Sequence, residues 1–311
     1  GTLTAIGNLF LINENGILFG PTAVVDVGGL IASTQDISNE NFLNGNYMFG
    51  SNEQTIQDTF KEAQVVNEGR IEADHFAVLI GSAVENSGVI KAPVVALAGG
   101  ELVSVGISPD GKIAVGIDKA VAHQVLDADG KPITDQIKQT GTIEAGIVTL
   151  NAQAVENIFH QAVNQEGVIR ADSVVVGKDG TVELIASGSI QSTGAIIADG
   201  DVTVKSAGSG TLGSVTTGGS LKLSSSESPA SYLQKDGSSV AVSKDLIIEK
   251  DTTLKATDTQ YKVGGSWDNK GTFDPGKSTV EFNDKTQTTQ IKGDNTFYNF
   301  QATTASKVIQ F

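Results

Sequence analysis

A seven-residue phrase returns five times along the chain, and no other feature restricts the fold as much. Asn67-Glu-Gly-Arg-Ile-Glu-Ala73 is echoed by Asn86-Ser-Gly-Val-Ile-Lys-Ala92, Gln139-Thr-Gly-Thr-Ile-Glu-Ala145, Gln165-Glu-Gly-Val-Ile-Arg-Ala171 and Ser192-Thr-Gly-Ala-Ile-Ile-Ala198. The fixed points are Gly69, Gly88, Gly141, Gly167 and Gly194, each followed two residues later by an isoleucine: Ile71, Ile90, Ile143, Ile169 and Ile196. The glycines lie 19, 53, 26 and 27 residues apart. A repeat unit of about 20 residues with insertions accounts for those intervals. Each copy runs into an apolar stretch of strand character, such as Phe76 to Ile80, Val94 to Leu97, Ile147 to Leu150 and Val174 to Val176. A short strand, a glycine turn and another short strand cannot bury an apolar face alone, so successive units must stack. The fold expected is all-β, a right-handed parallel β-helix. Glycine lets the backbone turn each corner, the five isoleucines point inward onto one another, and Asn before the glycine forms a ladder of side-chain amides or caps the turn.

The intervals that exceed one coil hold segments of another kind. Asp118 to Leu126, with Ile117, Val121 and Val125 at helical spacing, Asn151 to Val163 through Val155, Ile158, Phe159 and Ala162, and Asn52 to Gln64 through Ile56, Phe60 and Ala63 predict helices or loops on the side of the solenoid. There they would cover strand edges or apolar patches. Ser108 to Gly111 reads as a turn inside the first of these excursions. From Gly208 the composition shifts to Gly, Ser and Thr, yet Leu212, Val215, Leu221 and Leu223 keep strand alternation, so further coils are expected there.

The stretch Asn8 to Ser38 has the other strong pattern. An apolar run, Leu9 to Ile12, meets a turn at Asn13, Glu14, Asn15 and Gly16, and Ile17 to Phe19 leads straight back into strand. After Gly28-Gly29 and Leu30-Ile31 comes Ala32-Ser33-Thr34-Gln35-Asp36-Ile37-Ser38. This arrangement resembles the N-terminal secretion domain, also called the haemagglutination-activity domain, of filamentous-haemagglutinin-like exoproteins, the passengers of bacterial two-partner secretion. In that family the turn is Asn-Pro-Asn-Gly, so Glu14 replaces a proline here. The resemblance implies a secretion motif at Asn13, Glu14, Asn15, Gly16, Ser33, Thr34 and Asp36, an outer-membrane transporter as partner, and a secreted or cell-surface location. It also implies a structural or adhesive fibre that meets a host-cell, carbohydrate or neighbouring-cell surface. Near the other end, Trp267-Asp-Asn-Lys-Gly-Thr-Phe273 and Phe297-Tyr-Asn-Phe300 resemble a repeat of very large bacterial surface proteins. The division expected is a partial secretion domain at 1–64, coils with the Gly-x-Ile phrase at 65–207, Gly/Ser/Thr-rich coils at 208–260 and the surface-protein repeat at 261–311.

Composition excludes several alternatives. A formal net charge of −15 opposes binding to nucleic acid or anionic membrane. The chain has no Cys, which rules out disulfides and thiolate chemistry and suits passage through an oxidising periplasm. No run approaches the ~18 apolar residues of a membrane span. His75, His123 and His160 lack carboxylates at metal-ligand spacing, and no nucleophile elbow or phosphate loop occurs. Asp127-Ala-Asp129-Gly130 matches only the opening of a Ca²⁺ loop, without the later oxygen ligands. No cofactor, bound metal or catalytic activity is expected, the alternative being a polysaccharide lyase or hydrolase built on the same fold. In the resembling family a signal peptide and further residues precede the motif, so a processed or truncated start is expected, and the strand-like, uncapped ends predict a chain that continues past Phe311 and either flanking caps or head-to-tail self-assembly.

Overall fold

In the computed structural model the described residues are 1–50, 63–108, 113–172, 179–284 and 288–311. Successive coils stack as parallel strands, so the chain is a parallel β-helix. A full coil has three strand segments. The coil that begins in Thr142–Ala152, which bends at Gly146 and so supplies two of them, finishes with Gln161–Gln165; the next uses Val168–Ala171, Thr181–Ala186 and Ile190–Ser192.

Register explains why the phrase recurs. Ile71 pairs with Ile90, Ile90 with Ile143, Ile143 with Ile169 and Ile169 with Ile196. The column extends through Val25 and Leu3 in one direction and through Val215, Val240, Tyr261, Val280 and Phe300 in the other. All five isoleucines are at most 2% exposed and belong to one continuous core. A second inward column, Leu30, Ala77, Val95, Val148, Val182 and Val202, runs beside it. The polar stretch after Gly208 continues the stack in Ser209–Leu212, Val215–Thr217, Leu221–Ser225 and Ala230–Gln234, and Leu212, Val215, Leu221 and Leu223 are buried. In the last coils the core becomes aromatic: Trp267 packs edge-on to Phe273 and Phe297, with ring centroids 4.7 and 5.5 Å away. Its indole N–H donates to Asn295 Oδ1 (2.9 Å).

The residue before each Gly-x-Ile corner forms a buried polar column. Asn67 Nδ2 donates to Asn86 Oδ1 (2.7 Å), and Asn86 Nδ2 donates to Gln139 Oε1 (2.6 Å). Gln165 Oε1 accepts from Ser192 Oγ (2.8 Å). Three of these amides also serve their own corner: Asn67 Oδ1 accepts from Gly69 N, while Gln139 and Gln165 donate to the carbonyls of Gly141 and Gly167. Both expected functions, ladder and cap, are therefore performed by the same side chains.

The glycines act differently from expectation. None of Gly69, Gly88, Gly141, Gly167 and Gly194 has positive φ. They are required by close stacking, since a Cβ on Gly88, Gly141, Gly167 or Gly194 would overlap the carbonyl oxygen of the glycine one coil before. On Gly69 it would meet the carbonyls of Gly20 and Ala23 at 2.7 and 2.6 Å.

Of the two forms expected for the excursions, the described residues take strand and loop and not helix. No helix forms at Asp118 to Leu126 or at Asn151 to Val163. Ile113–Lys119 is instead an edge strand that pairs antiparallel with Leu102–Ile107, which in turn pairs antiparallel with Tyr47–Phe49. This three-stranded sheet lies on the solenoid flank. Val121 and Val125 are fully buried beneath a loop, packed with Ala83, and single bridges join Val121 to Ala154 and Leu126 to Pro132. Their four-residue spacing arises because an irregular segment presses alternate bends against the flank, which periodicity cannot distinguish from a helix. In the second excursion Asn151 and Ala152 end one strand, and Ala162 and Val163 belong to Gln161–Gln165. Of the segment from Asn52 to Gln64, only Ala63 and Gln64 are among the described residues, and Gln64 begins the strand Gln64–Asn67. Pro109 to Gly111 and Val174 to Val176 lie outside them. A short helix not foreseen, Asn39–Leu43, starts at Ser38, whose Oγ accepts from Asn41 N (3.2 Å). Among the described residues no helix is long and apolar enough to cross a membrane.

One buried phenol supplies a pH prediction. Tyr232 has its hydroxyl inside the stack, donating to the Ser224 carbonyl (2.7 Å) and accepting from Ser206 Oγ (3.0 Å). Burial pushes its pKa up to about 12. A folded pKa above the unfolded value of about 10 means that stability is complete below about pH 10 and falls as pH rises toward 12, by about 2–3 kcal/mol for this residue. Denaturant titrations at pH 8 to 12 should show that decline, with a shallower slope in Tyr232→Phe. An identical slope in the variant would remove Tyr232 as its source.

Candidate functional site

The turn at residues 13–16 is formed by local bonds. Asn13 Oδ1 accepts from Asn15 N (3.1 Å) and from Asn15 Nδ2 (3.4 Å), while the Asn13 carbonyl accepts from Gly16 N (3.1 Å). Asparagine at the first position is needed because its side chain stands in for a backbone carbonyl two residues on. Gly16 has φ +109°, a backbone state that L side chains rarely adopt. Asn13, Glu14 and Asn15 are exposed. These bonds run from Asn15 and Gly16 to Asn13, so the turn closes with Glu14 at the position where the resembling family has proline.

The string Ser33-Thr34-Gln35 sits directly beneath. Ile12 pairs with Ser33, and the Ser33 carbonyl accepts from Asn13 N (3.0 Å), so the fold joins both halves of the motif. Exposure separates them, however: Ser33, Thr34 and Gln35 are buried, and of the string from Ala32 to Ser38 only Asp36 and Ser38 are exposed. Ser33 Oγ donates to the Gln35 carbonyl (2.7 Å) and accepts from Gln35 N (2.9 Å). Thr34 Oγ1 donates to the Ala63 carbonyl (3.1 Å). Gln35 Nε2 donates to Ser82 Oγ (3.2 Å) and to the Gly100 carbonyl (3.1 Å). Gln35 was absent from the residues singled out in sequence, because its partners lie 47 and 65 positions away. The Asp36 carbonyl accepts from Gly50 N (2.7 Å).

The stacked glycine corners form a separate feature. Outside them runs a groove of about 660 Å³, bordered by Glu68, Arg70, Ser87, Thr140 and Glu166. The backbone on its floor is already committed, since Val89, Thr142 and Val168 N–H groups donate to the carbonyls of Gly69, Gly88 and Gly141. The Asp127 loop is likewise self-contained: Asp127 Oδ1 accepts from Asp129 N (2.9 Å) and Lys131 N (2.8 Å). His123 Nδ1 lies 3.8 Å from Glu101 Oε1, His160 contacts Gln161, and His75 is exposed.

Two heme/hemopexin-binding proteins of Haemophilus influenzae are related in sequence, one 32% identical over 158 residues and the other 26% identical over 211. The matches take in 49% and 60% of this chain but 16% and 21% of those proteins, so the chain spans about a fifth or less of their length. Among solved structures, the crystal structure of the HMW1 secretion domain from Haemophilus influenzae is 22% identical, with a TM-score of 0.47 over 97% of this chain and 81% of that one. Residues 1–176, more than half of the chain, match the family model of the TPS secretion domain. With the turn, the string and the parallel β-helix in place, the chain belongs to that family, the secretion domains of secreted or cell-surface two-partner-secretion exoproteins of Gram-negative bacteria.

Proposed function

We propose that the turn Asn13, Glu14, Asn15 and Gly16 is the element read by the outer-membrane transporter, and that Ser33, Thr34 and Asp36 serve the fold around it. One observation supports this division: the turn is closed by bonds among its own four residues and faces solvent, whereas Ser33 and Thr34 are buried and Thr34 Oγ1 bonds to Ala63, 29 residues on. A feature closed over four residues can form in a chain that has not yet folded. A string whose partners lie tens of residues away cannot. Changing Asn15 and Gly16 together to Ala should abolish export. The refolded double variant should lose only about 1–2 kcal/mol, from the φ at Gly16. Unchanged secretion would defeat the assignment.

The exported product, in this reading, is an elongated, non-catalytic structural or adhesive rod whose coils rise about 4.8 Å each. It presents its flanks to a host-cell, carbohydrate or neighbouring-cell surface. Head-to-tail contact between copies is compatible with the register, because Leu3 and Phe300 occupy the same inward column. Net negative charge would oppose side-by-side clumping while leaving axial contact open. Light scattering over a concentration series should then show mass rising with concentration; a constant monomer mass would remove self-assembly from the proposal.

A further inference from the structure

Two excursions leave the solenoid and meet again on its flank. The first departs after Ser33 and contributes Tyr47–Phe49; the second departs after Gly100 and contributes Leu102–Ile107 and Ile113–Lys119. Together they cover an outward apolar face made by Ile31, Phe76, Val78, Ile80, Val94 and Ala96, a cluster separate from the central core. These coils are therefore buried on both sides.

The roots of the two excursions are tied at one place. Gln35 Nε2 donates both to Ser82 Oγ on the coil below and to the carbonyl of Gly100, where the second excursion begins. Around it, Thr34 N donates to the Ile80 carbonyl (3.0 Å), Gly100 N to the Gly81 carbonyl (3.0 Å) and Gly50 N to the Asp36 carbonyl (2.7 Å). Next along the chain, Glu101 is 4% exposed, and its carboxylate binds Lys119 Nζ (2.8 Å) and accepts from Ala122 N (2.8 Å). Both ends of the second excursion's hairpin are thereby fixed to the same root, as Glu101 N also donates to the Lys119 carbonyl (2.9 Å).

We propose that the flank sheet is a cover that opens as a unit separate from the solenoid, with the Gln35 amide as its latch and Glu101 as the second fastening. The sheet has three strands, one of only three residues; beside the apolar contact of Phe49, Val103 and Val105 with the coils, its polar ties at the roots gather around Gln35. The coils beneath are continuous with the stack through parallel ladders on both sides. Cooperative units of unequal stability are expected where such a boundary exists.

Native-state hydrogen exchange on the full chain tests this. In Gln35→Ala, the amides of Gly50, Gly100, Glu101 and the Leu102–Ile107 strand should exchange faster by a common factor of about ten or more. The corner amides of Val89, Thr142 and Val168 should keep their rates. Glu101→Gln should affect the same set, and Ser82→Ala, which removes one acceptor from Gln35, substitutes for Gln35→Ala if that variant does not fold. Acceleration of cover and corner amides alike would show that the cover is not a separate unit, and acceleration confined to residues 34–36 would show that Gln35 latches nothing. Either result overturns the proposal.

Discussion

Ile143→Asp should destabilise the chain by about 4 kcal/mol or more, and should split its unfolding into two transitions. Ile143 is fully buried and stacked between Ile90 and Ile169, with no polar group of the inward column in line with it. A carboxylate there has neither water nor a cation, so it must either protonate or force the coil apart. Because each coil of a solenoid touches only its neighbours, a broken middle coil separates the stability of the coils before it from that of the coils after it. Two comparisons isolate the cause. Ile143→Val, which removes one methylene equivalent, should cost about 0.5–1.5 kcal/mol. Ile197→Asp, one residue past the inward Ile196 and half-buried on the outer face, should cost about 1 kcal/mol or less. Urea unfolding followed by circular dichroism measures all three. Equal midpoints for Ile143→Asp and Ile197→Asp would show that the inward column does not carry the stack.

Gly141→Ala should be nearly as severe, at about 3 kcal/mol or more, although it adds one methyl group and removes no contact. The reason is position. The new Cβ would overlap the Gly88 carbonyl oxygen, which already accepts from Thr142 N (2.9 Å). Relief requires the two coils to separate at the corner, and that lengthens the bond and loosens the adjoining amide contact between Asn86 and Gln139. Conformational preference is not the cause, since Gly141 does not have a positive φ. Gly7→Ala is the control: a Cβ there meets nothing within 4 Å, and the change should stay within about 0.5 kcal/mol. If Gly141→Ala proves as mild as Gly7→Ala, the glycines are retained for a reason other than stacking.

These two outcomes separate what was legible in the residues from what was not. The phrase with Gly and Ile two apart identified the inward positions because in a parallel stack each residue meets its counterpart one coil away. The same requirement is therefore written into the sequence once per coil. For the same reason the Asn before the glycine could be assigned to a ladder, and the alternation at Leu221 and Leu223 could be followed through polar surroundings. The turn at Asn13 to Gly16 was readable because its bonds close within four residues.

What the tertiary structure decided has no such local record. Phe76 to Ile80 and Val94 to Ala98 are continuous apolar runs, the pattern of strands buried on both faces, yet the sequence does not say what lies over the outer face. That depends on Tyr47–Phe49 meeting Leu102–Ile107, segments more than 50 positions apart. The helical spacing of Ile117, Val121 and Val125 misled because an antiparallel strand followed by a loop can press side chains inward at the same intervals. The reason for the corner glycines was also hidden, since a sequence shows that Cβ is absent but not that a carbonyl from the previous coil occupies its place. Residues Asn13 to Ile37 show the limit most clearly. Their sequence identified one motif, while packing divided it into an exposed turn and a buried string: Asn13 bonds to its neighbours, and Gln35 finds its partners only after residues 82 and 100 have been brought to it.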